Sequence, residues 1–231
     1  MTRRVPDASH GAPGKRLVQR AIAAFIPGII RRSLRSGLAG IWMRGDLKAL
    51  PAGSLLLANH HAWWDGYLVW WLARQRGVPF AVLMDDANLA KFPFFEFHGA
   101  IPASQPRRFL RAVEEGAVGV VFGEAAVQPP GPLQAVRPGA ERIARWAGVP
   151  LHPLAIRVVQ RGMQHPEAYL WLLDACPDAD QATTELQQAL SRIDEAAGRE
   201  DPEVPLPGFT LAQHGASSPD RVANRFKGWW S

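Results

Sequence analysis

Cysteine is almost missing from this chain: Cys176 stands alone among 231 residues. An internal disulfide framework and a cysteine-rich zinc module are thereby excluded, and the cytoplasm becomes the default compartment. Long hydrophobic runs are missing as well. The uncharged stretch 49–64 is interrupted by Pro51, Gly53, Asn59, His60 and His61, short of the ~18 consecutive apolar residues of a spanning helix. Nor is there a signal-peptide pattern, because the apolar decapeptide 21–30 is broken by Pro27-Gly28 and runs into Arg31-Arg32 without a small-residue cleavage site. Acidic residues are scarce at the N-terminus. Residues 1–44 carry Arg3, Arg4, Lys15, Arg16, Arg20, Arg31, Arg32, Arg35 and Arg44 against Asp7 alone, while the whole chain nets only +5, so everything after residue 44 is net acidic.

What is present is 47% hydrophobic residues, enough for a real core, and 20% charged residues, too few for a disordered chain. The N-terminal cations are interleaved with Ile22, Phe25, Ile26, Ile29, Ile30, Leu34, Leu38, Ile41 and Trp42. Basic charge mixed with apolar side chains points to an anionic lipid surface and away from nucleic acid. Val18, Ile22, Phe25 and Ile26 share one helical face, and Ile30, Leu34, Leu38 and Ile41 repeat the pattern after Pro27-Gly28. The spacing predicts two short amphipathic helices.

After Gly45 strands and helices alternate. Strands are expected at 54–58, 78–84, around Ile101, and at 117–122, 151–159 and 168–175; helices are expected at 66–76, 107–115, 139–147 and 183–197. This order predicts an α/β fold, a mixed and largely parallel sheet flanked by helices and preceded by the N-terminal amphipathic helices. The chain divides into a basic membrane-associating segment (1–44), an α/β domain (45–200) and a proline-rich C-terminal tail (201–231) that wraps or is partly disordered. Asp85-Asp86, without other ligands nearby in the sequence, reads as a strand-end turn.

The chemistry concentrates where the apolar strand Leu55-Leu56-Leu57-Ala58 delivers Asn59-His60-His61-Ala62-Trp63-Trp64-Asp65 into a turn. Open α/β sheets bind ligands at the C-terminal ends of their strands. On one continuous helix His60 and Asp65 would stand ~140° apart and could not touch. They meet only if His60 precedes the helix and Asp65 opens it. The carboxylate then accepts from one imidazole nitrogen and leaves the other as a general base. By composition alone His61 is an equally legal base. No Gly-x-Ser-x-Gly turn supplies a nucleophile, so the attacking group has to come from a substrate.

The stretch from Asn59 to Asp65 resembles the Asn-His-x-x-x-x-Asp signature of the glycerolipid acyltransferases, which act on lysophospholipids and 1-acylglycerol-3-phosphate. Three further blocks follow in order: Pro93-Phe94-Phe95 through Gly99-Ala100-Ile101-Pro102, Val121-Phe122-Gly123-Glu124, and Val149-Pro150-Leu151-His152-Pro153-Leu154-Ala155-Ile156. Met43-Arg44-Gly45 before the signature and Arg137-Pro138-Gly139-Ala140 before the last block also fit. The resemblance spans roughly residues 40 to 160.

It implies that His60 deprotonates an acceptor hydroxyl and that Asp65 orients and charge-stabilises it. It implies an acyl donor that is a thioester, acyl-CoA or acyl carrier protein, used as a co-substrate with no metal and no cofactor. Glu124 would help to hold the acceptor, and Asn59, Gly99, Phe122, Arg107 and Arg108 are candidate substrate contacts, with Trp63 and Trp64 shielding the site and lining the acyl path. The third block departs from the usual Phe-Pro-Glu-Gly-Thr-Arg: it reads Phe122-Gly123-Glu124-Ala125-Ala126-Val127 and lacks the arginine associated with acceptor phosphate. In the second block the usual arginine falls near Gln105. The expectation is a monotopic enzyme at the cytoplasmic face of a membrane that acylates a lipid hydroxyl. The alternatives are a non-phosphate lipid acceptor (a lipid amine or glycolipid), a degenerate lipid-binding relative, and a hydrolase.

Overall fold

The computed structural model describes residues 13–216, of which the side chains of 13–20, 138, 140, 141 and 144 are left undescribed. In chain order the elements are α1 (Pro13–Gly37), β1 (Gly40–Arg44), β2 (Leu55–Ala58), α2 (Asp65–Arg76), β3 (Phe80–Met84), α3 (Asp86–Lys91), a 3-10 helix (Pro93–His98), β4 (Ala100–Pro102), α4 (Pro106–Glu114), β5 (Val118–Phe122), α5 (Pro138–Ala147), β6 (Leu151–Val159), β7 (Glu167–Leu172), α6 (Ala179–Arg199) and β8 (Thr210–His214). The eight strands form one sheet in the order β4-β3-β5-β2-β6-β7-β1-β8. From β4 to β6 all neighbours are parallel; β7 turns antiparallel to β6, β1 runs parallel to β7, and β8 closes the edge antiparallel to β1. The expected mixed, largely parallel α/β sheet is what the chain forms.

Both sheet faces are covered, and for that reason the parallel strands read as unbroken apolar runs. Leu55 and Leu57 point to one side, into a core with Phe109 and Val113 of α4 and Ala182, Leu186 and Leu190 of α6. Leu56 and Ala58 point to the other, into a core with Ile26, Ile30 and Leu34 of α1 and Leu68, Val69 and Leu72 of α2. These two packed layers fix the level at which β2 and β5 end, and that level is where the site lies.

Several sequence expectations need correction. The N-terminal segment forms one helix with Pro27 inside it, not two. An internal proline costs about 3 kcal/mol, and the full burial of Ile26, Ile30 and Leu34, each worth about 1.5–3 kcal/mol, offsets it. Ile41 continues the helical spacing but lies in β1 and is paired to both β7 and β8. Thr210–His214, assigned to the tail, is the edge strand. Asp85 is not simply a turn residue: its side chain accepts from the Asn88 N–H and caps α3. Lys15, Arg16, Val18 and Arg20 have side chains outside the described residues, as do Trp229 and Trp230 entirely. Trp70 and Trp71 are core residues.

Candidate active site

Helix α2 begins at Asp65, so His60 lies ahead of it in the turn that follows β2. His60 Nδ1 and Asp65 Oδ2 are 2.9 Å apart. The same carboxylate oxygen accepts the His61 N–H at 2.7 Å and the Ala62 N–H at 2.8 Å. Asp65, fully buried, thus closes the turn through its backbone and orients the imidazole in one stroke. Because a carboxylate only accepts, Nδ1 carries the proton in neutral His60 and Nε2 is left with its lone pair. Among the described residues nothing hydrogen-bonds that Nε2, the His60 side chain is 21% exposed, and its ring is stacked on Phe122 with centroids 4.3 Å apart. The ring has one open nitrogen and is held on two sides, by Asp65 and by Phe122.

The neighbouring histidine is committed elsewhere. His61 Nε2 accepts the Val158 N–H of β6 at 3.1 Å, and its side chain is 4% exposed. Burial lowers its pKa below the ordinary 6.5, only partly countered by the charge of Asp65. Of the two rings that composition leaves open, His60 is the one with a nitrogen free of protein partners among the described residues.

Asn59 is also structural. Buried at the end of β2, it donates to the Ile156 carbonyl (3.0 Å) and accepts the Ile156 N–H (2.8 Å), carrying the β2–β6 ladder one step past the last strand residue. Its Nδ2 also lies 3.2 Å from His61 Nδ1, so the side chain ties the turn to β6 and to the neighbouring ring. Glu124 follows β5 and is buried; its two carboxylate oxygens accept the His60 N–H (2.8 Å) and the Gln134 N–H (2.9 Å). The His60 carbonyl in turn accepts the Gln128 N–H at 2.8 Å.

The remaining predicted residues are not all brought together. Trp63 is 66% exposed beside the turn and makes edge contacts with Trp64 and Tyr67. Trp64 fills the space above Gly37, where an added Cβ would come within 2.9 Å of its ring. Arg107 and Arg108 are exposed at the start of α4, and Arg108 faces Gln105 and Glu96. They share the C-terminal sheet edge with His60, but β4 lies three strands from β2, roughly 14 Å at the usual inter-strand spacing. Gly99 does not belong to the site. It lies beside Phe80, at the start of β3 and the opposite sheet edge, where φ of +96° and a Cβ 2.0 Å from the Phe80 carbonyl oxygen admit only glycine.

Sequence reasoning missed the scaffold of the segment after Glu124. Arg157, buried in β6, pairs with both oxygens of Asp194 on α6 (2.7 and 2.9 Å) and donates to the Gly131 carbonyl (2.5 Å), while Gln187 of α6 accepts the Leu133 N–H. The one readable signal was a charge inside an otherwise apolar strand. Among the described residues no group of three or more His, Cys, Asp or Glu could hold a metal ion, and no helix is long and apolar enough to cross a membrane.

Two comparisons find known proteins similar to this chain. The crystal structure of PlsC, the 1-acyl-sn-glycerophosphate (LPA) acyltransferase from Thermotoga maritima, is similar in fold, with a TM-score of 0.54 over 83% of this chain and 86% of that one at 16% identity. No curated protein matches the sequence. Residues 45–157, from the residue after β1 to the middle of β6, match the family model described as Acyltransferase. That stretch, just under half of the chain, holds His60, Asp65, Phe122 and Glu124, and over it the chain is similar to the acyltransferase family.

Proposed function

We propose that the protein transfers a fatty acyl group from an acyl thioester, carried on coenzyme A or acyl carrier protein, to a hydroxyl of a lipid acceptor such as a lysophospholipid or 1-acylglycerol-3-phosphate. The observation that carries this reading is the 2.9 Å His60–Asp65 contact with the second imidazole nitrogen open. His60 Nε2 takes the hydroxyl proton as the acceptor oxygen attacks the thioester carbonyl. The tetrahedral adduct collapses, the carbon–sulfur bond breaks, and the imidazolium returns its proton to the departing thiolate. Asp65 stabilises the transient imidazolium without itself taking the proton.

The acceptor arrives from a membrane, and the support is the outer side of α1. Ile22, Phe25 and Ile29 are 43%, 71% and 51% exposed, in a stripe beside the exposed Arg31, Arg32 and Arg35. The 3-10 helix packed against α1 through His98 adds the exposed Phe97, and Phe92 precedes it. Apolar side chains flanked by cations suit an anionic leaflet. Acyl thioesters of both kinds are met on the cytoplasmic face, which is where the reading puts the enzyme.

A narrower acceptor class is favoured by Val127. This side chain is 58% exposed at the position where the related block carries arginine, and the next residue bonds the His60 carbonyl. An apolar rim there fits a lipid amine, glycolipid or other acceptor with no phosphomonoester beside the reacting group. Radiolabelled acyl thioesters incubated with a panel of lysophospholipids, monoacylglycerols, glycolipids and lipid amines test both readings. Label should enter lipid with the wild type and not with His60→Ala, and most strongly with the acceptors lacking a phosphomonoester. Undiminished transfer by a folded His60→Ala protein would remove the mechanism, and fatty-acid release in excess of ester formation would make it a hydrolase.

A further inference from the structure

Resting on the reading of His60 as the base, we propose that Glu124 is a positioning residue that acts on His60 through the backbone and does not bind the acceptor. A carboxylate that recognises a substrate hydroxyl needs an oxygen facing the substrate. Glu124 is 5% exposed, and each of its oxygens already takes a backbone N–H, that of His60 at 2.8 Å and that of Gln134 at 2.9 Å. Such charge-assisted bonds are the strong ones, and both donors would be orphaned if the carboxylate swung toward a ligand.

The arrangement grips the backbone of one residue, His60, on both sides. The His60 N–H is held by Glu124, and its carbonyl by the N–H of Gln128, four residues further along the same segment. That segment is itself tied down through Gly131 to Arg157, through Leu133 to Gln187 and through Gln134 back to Glu124. Asp65 fixes the imidazole ring and Phe122 its plane, but neither sets where the His60 Cα lies relative to the end of β5. Glu124 does. The acidic residue therefore sets the height of the base above the sheet edge, and an error of about 1 Å in such a placement costs about 100-fold in rate.

Glu124→Gln replaces one accepting oxygen with an amide that cannot accept from an N–H. The inference expects kcat to fall about 100-fold, by the same factor for a lysophospholipid, a monoacylglycerol and a lipid amine, with acceptor KM unchanged within twofold. An acceptor-binding role would instead raise KM, by different factors for different acceptors, with kcat kept, and would overturn the inference. His60→Ala assayed in parallel separates the two levels. If it retains activity, the base assignment fails; if it is inactive while Glu124→Gln shows the KM pattern, only the positioning role fails. Should Glu124→Gln not fold, amide hydrogen exchange on the wild type decides. The His60 and Gln134 amides are expected to keep the same protection with and without saturating acceptor, and release of either on acceptor binding would contradict the inference.

Discussion

Replacing Asp65 by asparagine isolates the contribution of its charge, because three donors converge on a single carboxylate oxygen. Asp65 Oδ2 accepts from His60 Nδ1, His61 N and Ala62 N, while Oδ1 is buried with no partner among the described residues. An asparagine in that place turns its carbonyl toward the three donors and its NH2 toward the orphan position. The turn, the tautomer of His60 and the start of α2 are then preserved, and what disappears is the negative charge facing the imidazolium of the transition state. A unit charge pair at about 4 Å in an effective dielectric of about 20 is worth about 4 kcal/mol, close to three decades in rate. Asp65→Asn should therefore lower single-turnover acyl transfer about 1,000-fold while circular dichroism stays near wild type and stability in urea falls by only about 1–3 kcal/mol, the cost of a buried, unpaired NH2. The assay is rapid mixing of enzyme with labelled thioester and acceptor lipid. A folded variant within tenfold of wild type would refute the idea that the carboxylate supports a proton-accepting His60.

Three further outcomes follow from the same geometry. Ala125 has φ of +58°, a left-handed backbone costing an L residue about 1–2 kcal/mol, against about 0.4–1 kcal/mol of extra chain entropy for glycine; Ala125→Gly should raise stability by up to about 1 kcal/mol in urea titration, and a loss would contradict the strain. His61 is pushed below 6.5 by burial, so the unfolded chain binds its proton first: stability is full above pH 6.5 and declines as pH falls below it toward the folded value. His61→Gln, which keeps an acceptor for the Val158 N–H, should flatten that slope between pH 7.5 and 5.5, and an unchanged slope would assign it to other groups. Phe25→Ser with Ile29→Ser should weaken sedimentation with anionic vesicles by about 100-fold, since each apolar side chain withdrawn from a leaflet forfeits about 1.5–3 kcal/mol; undiminished binding would move the contact to another surface.

The parts of this protein written in local periodicity were legible before any coordinates. The buried parallel strands announce themselves as apolar runs, and β6 begins at Leu151 and ends at Val159 as expected from the sequence. The requirement that His60 precede the helix opened by Asp65 follows from helical geometry alone, and α2 meets it. What escaped was decided by tertiary contact. Ile41 keeps the helical spacing of Ile30 and Leu34, yet the sheet claims it for β1; β8 alternates between exposed and half-buried positions at an edge and sits among prolines. Glu124, Asn59 and His61 each bond backbone N–H or C=O groups of distant residues, which carry no side-chain signature. The resemblance named Glu124, and only the fold shows that its carboxylate points at the protein's own backbone.

The account turns on which atom meets the acceptor hydroxyl. A crystal structure of the protein with an acceptor lipid and a non-hydrolysable acyl thioester measures that directly. The acceptor oxygen should lie within about 2.6–3.2 Å of His60 Nε2, with the Glu124 carboxylate still on the His60 and Gln134 amides. A hydroxyl held instead by Glu124, with His60 Nε2 facing away from both substrates, would contradict the mechanism at its centre.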